Sequence, residues 1–359
     1  MTTVLMTTDA VGGVWSYSLE LADALAAEAV DVVLVVLGPA PSDGQRAELR
    51  ATRVTQSFEL DHALEWMPDP WSDVDEAGRR LLDVERQIGP DVVHLNGYVH
   101  ATMAWSAPTV VVAHSDVLSW WRAVHGCAAP ASWSTYATRV GAGLKAADAV
   151  VAPTAAMLDA LRREHEFPGG SVIPNGRRAD WAHVAAKEPL IVGVGRMWDA
   201  AKNLDALAAA AAAVEWPVVL LGAGSERPAS STPAPYVGLG AVPSTEVAQW
   251  LARATIFAAP ARYEPFGLAA LEAARSGCAL VLGDIPTQRE LWGDAAVFVH
   301  PARPDDLSAA LRTLSRDPDR CADLGQRARQ RSERYTPDAM ARSYVTLYRS
   351  LHAAVGGRR

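Results

Sequence analysis

Three cysteines, Cys127, Cys278 and Cys321, are all that the 359 residues contain, and none shows Cys-x-x-Cys spacing. An odd number without that spacing argues against a disulfide framework or a zinc site and fits a reducing cytoplasm. Half the residues are hydrophobic, yet no uninterrupted apolar run approaches the ~18 residues of a membrane span. The most apolar early run, Val30 to Leu37, carries Asp31 and has the length of a buried strand. Met1-Thr2-Thr3-Val4 lacks the basic start of a secretory signal. Lysine is nearly absent: Lys145, Lys187 and Lys202 are the three in the chain. Basic charge is also short in the first half, where Met1 to Ala185 holds 13 Lys and Arg against 23 Asp and Glu. The remainder holds 20 against 18, for a net charge of −8. An acidic N-terminal half argues against nucleic acid and against tight docking on anionic lipid. An anionic ligand is better placed on the second half.

What the chain does have is a repeated alternation. Its length exceeds one ordinary core, so two domains are expected. A first series of β-like runs comprises Val4 to Thr8, Val32 to Leu37, Val92 to Leu95, Thr109 to Ala113, Ala149 to Ala152 and Ser171 to Pro174. A second comprises Leu190 to Val194, Val218 to Leu221, Tyr236 to Leu239, Thr255 to Ala259, Ala279 to Leu282 and Ala296 to Val299. Continuous Val/Leu/Ile without polar alternation fits strands buried on both faces of a parallel sheet. Helical spacing fills the gaps, as in Trp15 to Glu28 and the alanine-rich Asn203 to Val214. Two βαβ series in tandem predict an α/β chain of two Rossmann-like domains. The polar stretch Arg177 to Pro189 marks the boundary, giving domains over 1–182 and 188–337. Helices follow Pro304, Pro318 and Pro337, and Ser225 to Pro235 reads as a flexible surface loop.

The most informative stretch is Glu264-Pro265-Phe266-Gly267-Leu268-Ala269-Ala270-Leu271-Glu272, at the junction of the strand Thr255 to Pro260 and a helix Leu268 to Arg275. Glu264 precedes the helix and Glu272 lies two turns along, so at about 3.6 residues per turn both can face one cleft. Open α/β sheets bind ligands at strand C-termini, and a helix N-terminus offers unpaired N–H groups to a phosphate. Read alone, the two glutamates fit equally well a surface loop and an amphipathic helix. Gly193-Val194-Gly195-Arg196-Met197-Trp198-Asp199-Ala200-Ala201-Lys202-Asn203 follows the second series' first strand. Arg196 and Lys202 are placed there to neutralise a diphosphate, one as a planar fork of donors, the other as a mobile point charge. Two solvated loop cations are the competing reading, weakened by how few lysines there are.

Asp9-Ala10-Val11-Gly12-Gly13-Val14-Trp15 puts two glycines before a helix, where a backbone can approach an anion or merely turn tightly. His114, in Val112-Ala113-His114-Ser115-Asp116, ends a buried strand and can reach a bound sugar, although a lone strand-end histidine is more often structural. His94 also ends a strand, with both readings open. Trp15, Tyr17, Trp105, Trp120, Trp121 and Trp133 can stack on sugar rings or flat acceptors, or simply fill the space between helices and sheet.

The Glu264 to Glu272 segment, continued through Ala273-Ala274-Arg275-Ser276-Gly277-Cys278-Ala279-Leu280-Val281, resembles the E-x7-E signature of retaining glycosyltransferases of family 4, which have the GT-B fold. The resemblance implies two Rossmann-like domains with parallel sheets facing across a cleft, acceptor mainly on the first and donor on the second. It further implies a last helix, 338–356, crossing back to the N-terminal domain. The implied reaction moves a hexose-type sugar, with retention, from a nucleoside diphosphate sugar to a hydroxyl-bearing small molecule or saccharide. The attacking hydroxyl's proton would pass to a departing phosphate oxygen. By resemblance Arg196 and Lys202, with Gly13, Gly267 and Leu268, take the diphosphate, and Glu264, Phe266 and Gly267 the sugar. Glu272, Gly238 and Leu239 take the nucleoside, and His114 contacts the sugar beside the reacting centre. Gly12, Trp15, Asp116, Trp120 and Trp121 fall in the acceptor region. A metal cluster, whether an Asp-x-Asp run or a His/Asp group, is not expected, and no cofactor beyond the nucleotide sugar is. Neither nucleic acid nor an integral membrane contact is expected, and the location expected is cytoplasmic. The segment after Asn175-Gly176 departs from the family: it reads Arg177-Arg178-Ala179-Asp180 where an apolar residue and then Asp are usual. A GT-B phosphorylase or epimerase and a non-catalytic GT-B scaffold are the rival readings.

Overall fold

The structure, a computed structural model, describes residues 2–178, 186–224 and 235–356, with side chains to 353. They form two compact units. The first is drawn from Met1–Arg122, Cys127–Gly176 and Pro337–Arg359, the second from Ala123–Gly126 and Arg177–Thr336. The expected boundary at residue 182 lies outside the described residues. So do Ala179 and Asp180 of the departing segment, and 225–234 of the expected surface loop.

The first unit runs β1 (Thr2–Asp9), α1 (Gly13–Ala27), β2 (Val30–Leu37), α2 (Asp43–Arg50), β3 (Gln56–Leu60), α3 (Trp71–Ile88), β4 (Val92–Leu95), β5 (Thr109–Val112), α4 (Val117–His125), α5 (Ser134–Ala146), β6 (Ala149–Ala152), α6 (Ala155–Glu164) and β7 (Ser171–Val172). Seven parallel strands stand in the order β3-β2-β1-β4-β5-β6-β7. Val4, Leu5 and Met6 of β1 are fully buried, as an apolar strand covered on both faces must be. β3 is an addition to the expected strands. Among the described residues it pairs only with β2 at the sheet edge, so nothing requires its Gln-Ser-Phe-Glu-Leu to be continuously apolar. The chain builds outward from β1 to β3, then returns to the other side of β1 with β4. A topological switch point therefore lies between β1 and β4.

The second unit runs β8 (Glu188–Val194), α7 (Leu204–Ala210), β9 (Val218–Leu221), β10 (Val237–Gly238), α8 (Ser244–Arg253), β11 (Ala254–Ala259), α9 (Leu268–Arg275), β12 (Ala279–Gly283), α10 (Pro286–Trp292), β13 (Ala296–Val299), α11 (Pro304–Ser315) and α12 (Pro318–Ser332). Its six parallel strands are ordered β10-β9-β8-β11-β12-β13, with the switch point between β8 and β11. The helix expected to Val214 is shorter. α7 stops at Ala210 and tightens into a 3₁₀ turn over Ala211–Ala213 before β9.

The final helix, α13 (Pro337–Gly356), packs in the first unit. Met340, Ala341, Tyr344, Val345 and Tyr348 join Trp15, Tyr17 and Leu21 of α1 in one buried cluster. Burial of Met340 and Val345 contributes about 1.5–3 kcal/mol each. Among the described residues, no helix is long and apolar enough to cross a membrane.

Candidate active-site residues

In the second unit the loops after β8 and β11 leave the sheet on either side of the switch point. Between Val194 and α7, Arg196 Nη2 donates to Asp199 Oδ2 at 2.8 Å, and its guanidinium lies 4.9 Å from the Trp198 ring centroid. Asp199 Oδ1 accepts the Ala201 N–H at 3.0 Å, which turns the loop so that Lys202 points back over the sheet. There Lys202 Nζ donates to Glu264 Oε2 at 2.6 Å. Asn203 sits in the left-handed region at φ 54°, a conformation Asn tolerates, and its Nδ2 donates to Pro260 O and Pro301 O at 2.9 Å each. The two loops are thereby tied together.

The loop after β11 is held as firmly. Thr287 Oγ1 donates to Glu264 O at 2.6 Å and Gln288 Nε2 to Phe266 O at 3.0 Å. Gly267 caps α9 at φ 92°, ψ 70°. A Cβ there would stand 3.2 Å from Glu264 Cγ and from Gln288 Nε2, so only glycine fits. Phe266 is buried in the core, edge-on to Tyr335, and Leu268 opens α9. A small cavity lined by Val194, Lys202, Phe257, Glu264, Gly267 and Gln288 lies at this junction.

Glu272 is two turns along α9 and already has a partner. Arg177 Nε donates to its Oε1 at 2.7 Å, with the side chains 7% and 15% exposed. Burial pushes the Glu272 carboxyl above the usual carboxylate range, and Arg177 pulls the other way. The departure from the family pattern at Arg177 thus supplies the counter-charge of a glutamate expected at the nucleoside. Gly238 and Leu239 lie at the end of β10, where Leu239 N donates to Leu220 O and Gly222 N to Gly240 O.

In the first unit Asp9 Oδ1 accepts the Val11 N–H at 2.7 Å, and Gly12 enters α1 at φ 95°, ψ −139°, with Gly13 as its first residue. Trp15 is core: 3% exposed, its indole N–H on Glu48 Oε2 at 2.9 Å. Its packing leaves it no face for an acceptor, contrary to expectation. His114 follows β5, half-buried, with Nε2 2.8 Å from Asn96 Oδ1 and the Tyr17 ring edge-on at 4.4 Å. His94 is fully buried, with Nδ1 2.6 Å from the Tyr348 hydroxyl. Burial lowers both imidazoles to about 3, so both rings are neutral at ordinary pH.

Asp116, expected near the acceptor, is 1% exposed. Its carboxylate accepts from Ser119 N and Oγ, from Tyr136 OH and from His165 Nε2, the last at 3.0 Å. It caps α4 and braces the fold, because a buried carboxylate needs this many donors. Trp120 and Trp121 are both half-buried, their rings 6.2 Å apart.

Two Asp-x-Asp runs are present where none was expected. Asp73 accepts the Ala63 N–H and Asp75 pairs with Arg139, while Asp317 caps α12 through Arg320 N. Among the described residues, no group of three His, Cys, Asp or Glu could hold a metal ion. Asp199, Asn203 and Asn96 were not anticipated at the site. Asn203, a helix-preceding Asn, is the one whose residue type carried a signal.

Residues 11–181 match the family described as Glycosyltransferase Family 4, and 188–317 that described as Glycosyl transferases group 1. The chain belongs to glycosyltransferase family 4. Glycogen synthase of Mycobacterium tuberculosis H37Rv is 38% identical to this family 4 chain over 102 residues, covering 28% of this chain and 24% of that one. The curated relatives matched are each covered over less than a third of their length. Sucrose-phosphate synthase of Thermosynechococcus elongatus superposes with a TM-score of 0.82 at 19% identity, covering 99% of this chain and 100% of that one. HepE of Anabaena, solved with UDP and glucose, gives 0.77 at 14%, covering 98% and 100%. At such identities the likeness establishes the fold, which is GT-B.

Proposed function

We propose that this family 4 chain is a retaining glycosyltransferase that moves a hexose-type sugar from a nucleoside diphosphate sugar to a hydroxyl of a small molecule or saccharide. The observation that carries the proposal is the meeting of Lys202, Glu264 and the N-terminus of α9 at the second unit's switch point, with Arg196 on the same loop as Lys202. Two cations and a helix end suit a diphosphate, and fixed positive charge stabilises a departing one without a metal. Lys202, Arg196 and the N–H groups at Gly267 and Leu268 take the diphosphate, with Gly13 assigned to it from the first unit. Glu264 takes sugar hydroxyls, and the side chain of Glu272, oriented by Arg177, takes the ribose. Gly238 and Leu239 border the base, His114 meets a sugar hydroxyl, and the acceptor falls to the first unit near Gly12, Trp120 and Trp121. Free Cys127, Cys278 and Cys321 accord with a cytoplasmic location.

The test is thermal-shift binding of UDP, GDP, ADP and TDP in EDTA, followed by NMR of the product's anomeric configuration. Stabilisation by one nucleotide, lost in Lys202→Ala, and a product with the donor's anomeric configuration are expected. No shift with any nucleotide overturns the proposal and favours a sugar-phosphate enzyme or a scaffold.

A further inference from the structure

Asn96 follows β4 and its amide orientation is determined. Nδ2 donates to Thr7 O at 2.7 Å and to Ser18 Oγ at 3.1 Å, and a backbone carbonyl can only accept. The Asn96 N–H is itself held by Thr7 Oγ1 at 2.9 Å. Oδ1 therefore faces the other way, and two imidazoles meet it: His114 Nε2 at 2.8 Å and His94 Nε2 at 3.3 Å. An amide oxygen has no hydrogen to give, so both nitrogens carry the proton. His94 Nδ1 is then the bare nitrogen that accepts the Tyr348 O–H at 2.6 Å. The same logic leaves His114 Nδ1 bare. Among the described residues no hydrogen bond reaches it, and His114 is only half-buried. The Tyr17 ring packs against the His114 ring with centroids 4.4 Å apart and planes at 67°.

We propose that Asn96 is a positioning residue that holds His114 as the Nε2–H tautomer, so that His114 presents Nδ1 as a hydrogen-bond acceptor to a sugar hydroxyl. The hydroxyl rests on the glycosyl-transfer reading above; the tautomer does not. A bare ring nitrogen selects a donor such as a hydroxyl and turns away a carbonyl or phosphate oxygen. Burial keeps both rings neutral, so the distinction between the two nitrogens persists at working pH.

The experiment is long-range ¹H–¹⁵N correlation of the ring nitrogens in the full-length chain carrying ¹⁵N-histidine, with His114→Gln for assignment. Expected is a protonated Nε2 and a bare Nδ1 on His114; a protonated Nδ1 overturns the proposal. In Asn96→Leu the two His114 nitrogens should move toward a tautomer average, with kcat/KM falling about tenfold, the loss of one oriented hydrogen bond. An unchanged tautomer in that variant also overturns it. Asn96→Asp, which keeps an oxygen toward His114, should retain Nε2–H and raise the pH at which the ring gains a second proton; loss of that tautomer overturns the assignment as well. The spectra need no donor substrate, so failure of the glycosyl-transfer reading and failure of this one are told apart.

Discussion

Lys202 Nζ stands 2.6 Å from Glu264 Oε2, so the residue assigned to the donor's phosphate and the residue assigned to its sugar hold one another. Both side chains keep about a quarter of their surface, 25% and 22%, and such a pair adds only about 0–1 kcal/mol to stability. Lys202→Ala and Glu264→Gln should each lower kcat/KM by at least about a hundredfold, the scale of one lost transition-state contact. Melting temperatures should move by no more than a few degrees. Steady-state kinetics beside circular-dichroism melts check both; unchanged turnover sinks the assignment.

Arg177 and Glu272 are more deeply covered, and here stability should respond. Arg177→Leu leaves a buried carboxylate without its counter-charge, at a cost of about 3 kcal/mol. The Glu272 carboxyl is already held above its ordinary value and should rise further. A raised value means that the fold binds this proton more tightly than the unfolded chain does. The stability it adds is present at low pH and is lost as pH rises through the folded value. Urea unfolding of Arg177→Leu should therefore show a deficit that grows as pH rises above the ordinary carboxylate range.

For Asp116 the sign reverses. Burial would push its carboxyl up, but His165 and Ser119 hold it below its ordinary value. That contribution is present above the unfolded carboxylate value and fades as pH falls through the folded one. Asp116→Asn should cost about 1–3 kcal/mol at neutral pH, with the difference from wild type shrinking below about pH 4. Nucleotide binding, measured by calorimetry on the variant that remains folded, should be unchanged. A raised acceptor KM in the folded variant would return Asp116 to the acceptor region.

Gly267→Ala combines a left-handed backbone with a Cβ 3.2 Å from Glu264 Cγ. About 1–2 kcal/mol of strain is expected, along with displacement of Glu264. Activity should fall more steeply than stability, by the same two assays; equal melting with full activity would show that the tight fit is not needed.

The strands were legible where both faces are covered, as in Val32 to Leu37, because burial demands unbroken apolar residues. β3 was not, since an edge strand obeys no such demand. Glu264, Gly267 and Glu272 could be read as parts of one strand–helix junction, but only the resemblance to family 4 made that junction a candidate site. Asn203 carried a signal in its type alone; the bonds that Asn203, Asn96 and Arg177 make could not be read, because their partners are remote: Pro301, Thr7 and Glu272 lie 98, 89 and 95 residues away. Asp116 is the converse case. Its place at a strand end was visible, but the donors that enclose it come from α4, α5 and His165.

The Tyr17 hydroxyl donates to that of Tyr344 at 2.7 Å across 327 residues of chain. Read as a matter of timing, this makes biosynthesis out of step with assembly. The seven strands of the first unit leave the ribosome well before the helix that covers their α1 face. Between those two moments Arg177–Thr336 of the second unit emerges, with both sides of its own sheet already encoded within it. Closing a contact of such span is slow by its loop entropy alone. The first unit, begun before the second, is thus completed after it, and until then its Trp15 and Tyr17 surface is in want of a cover.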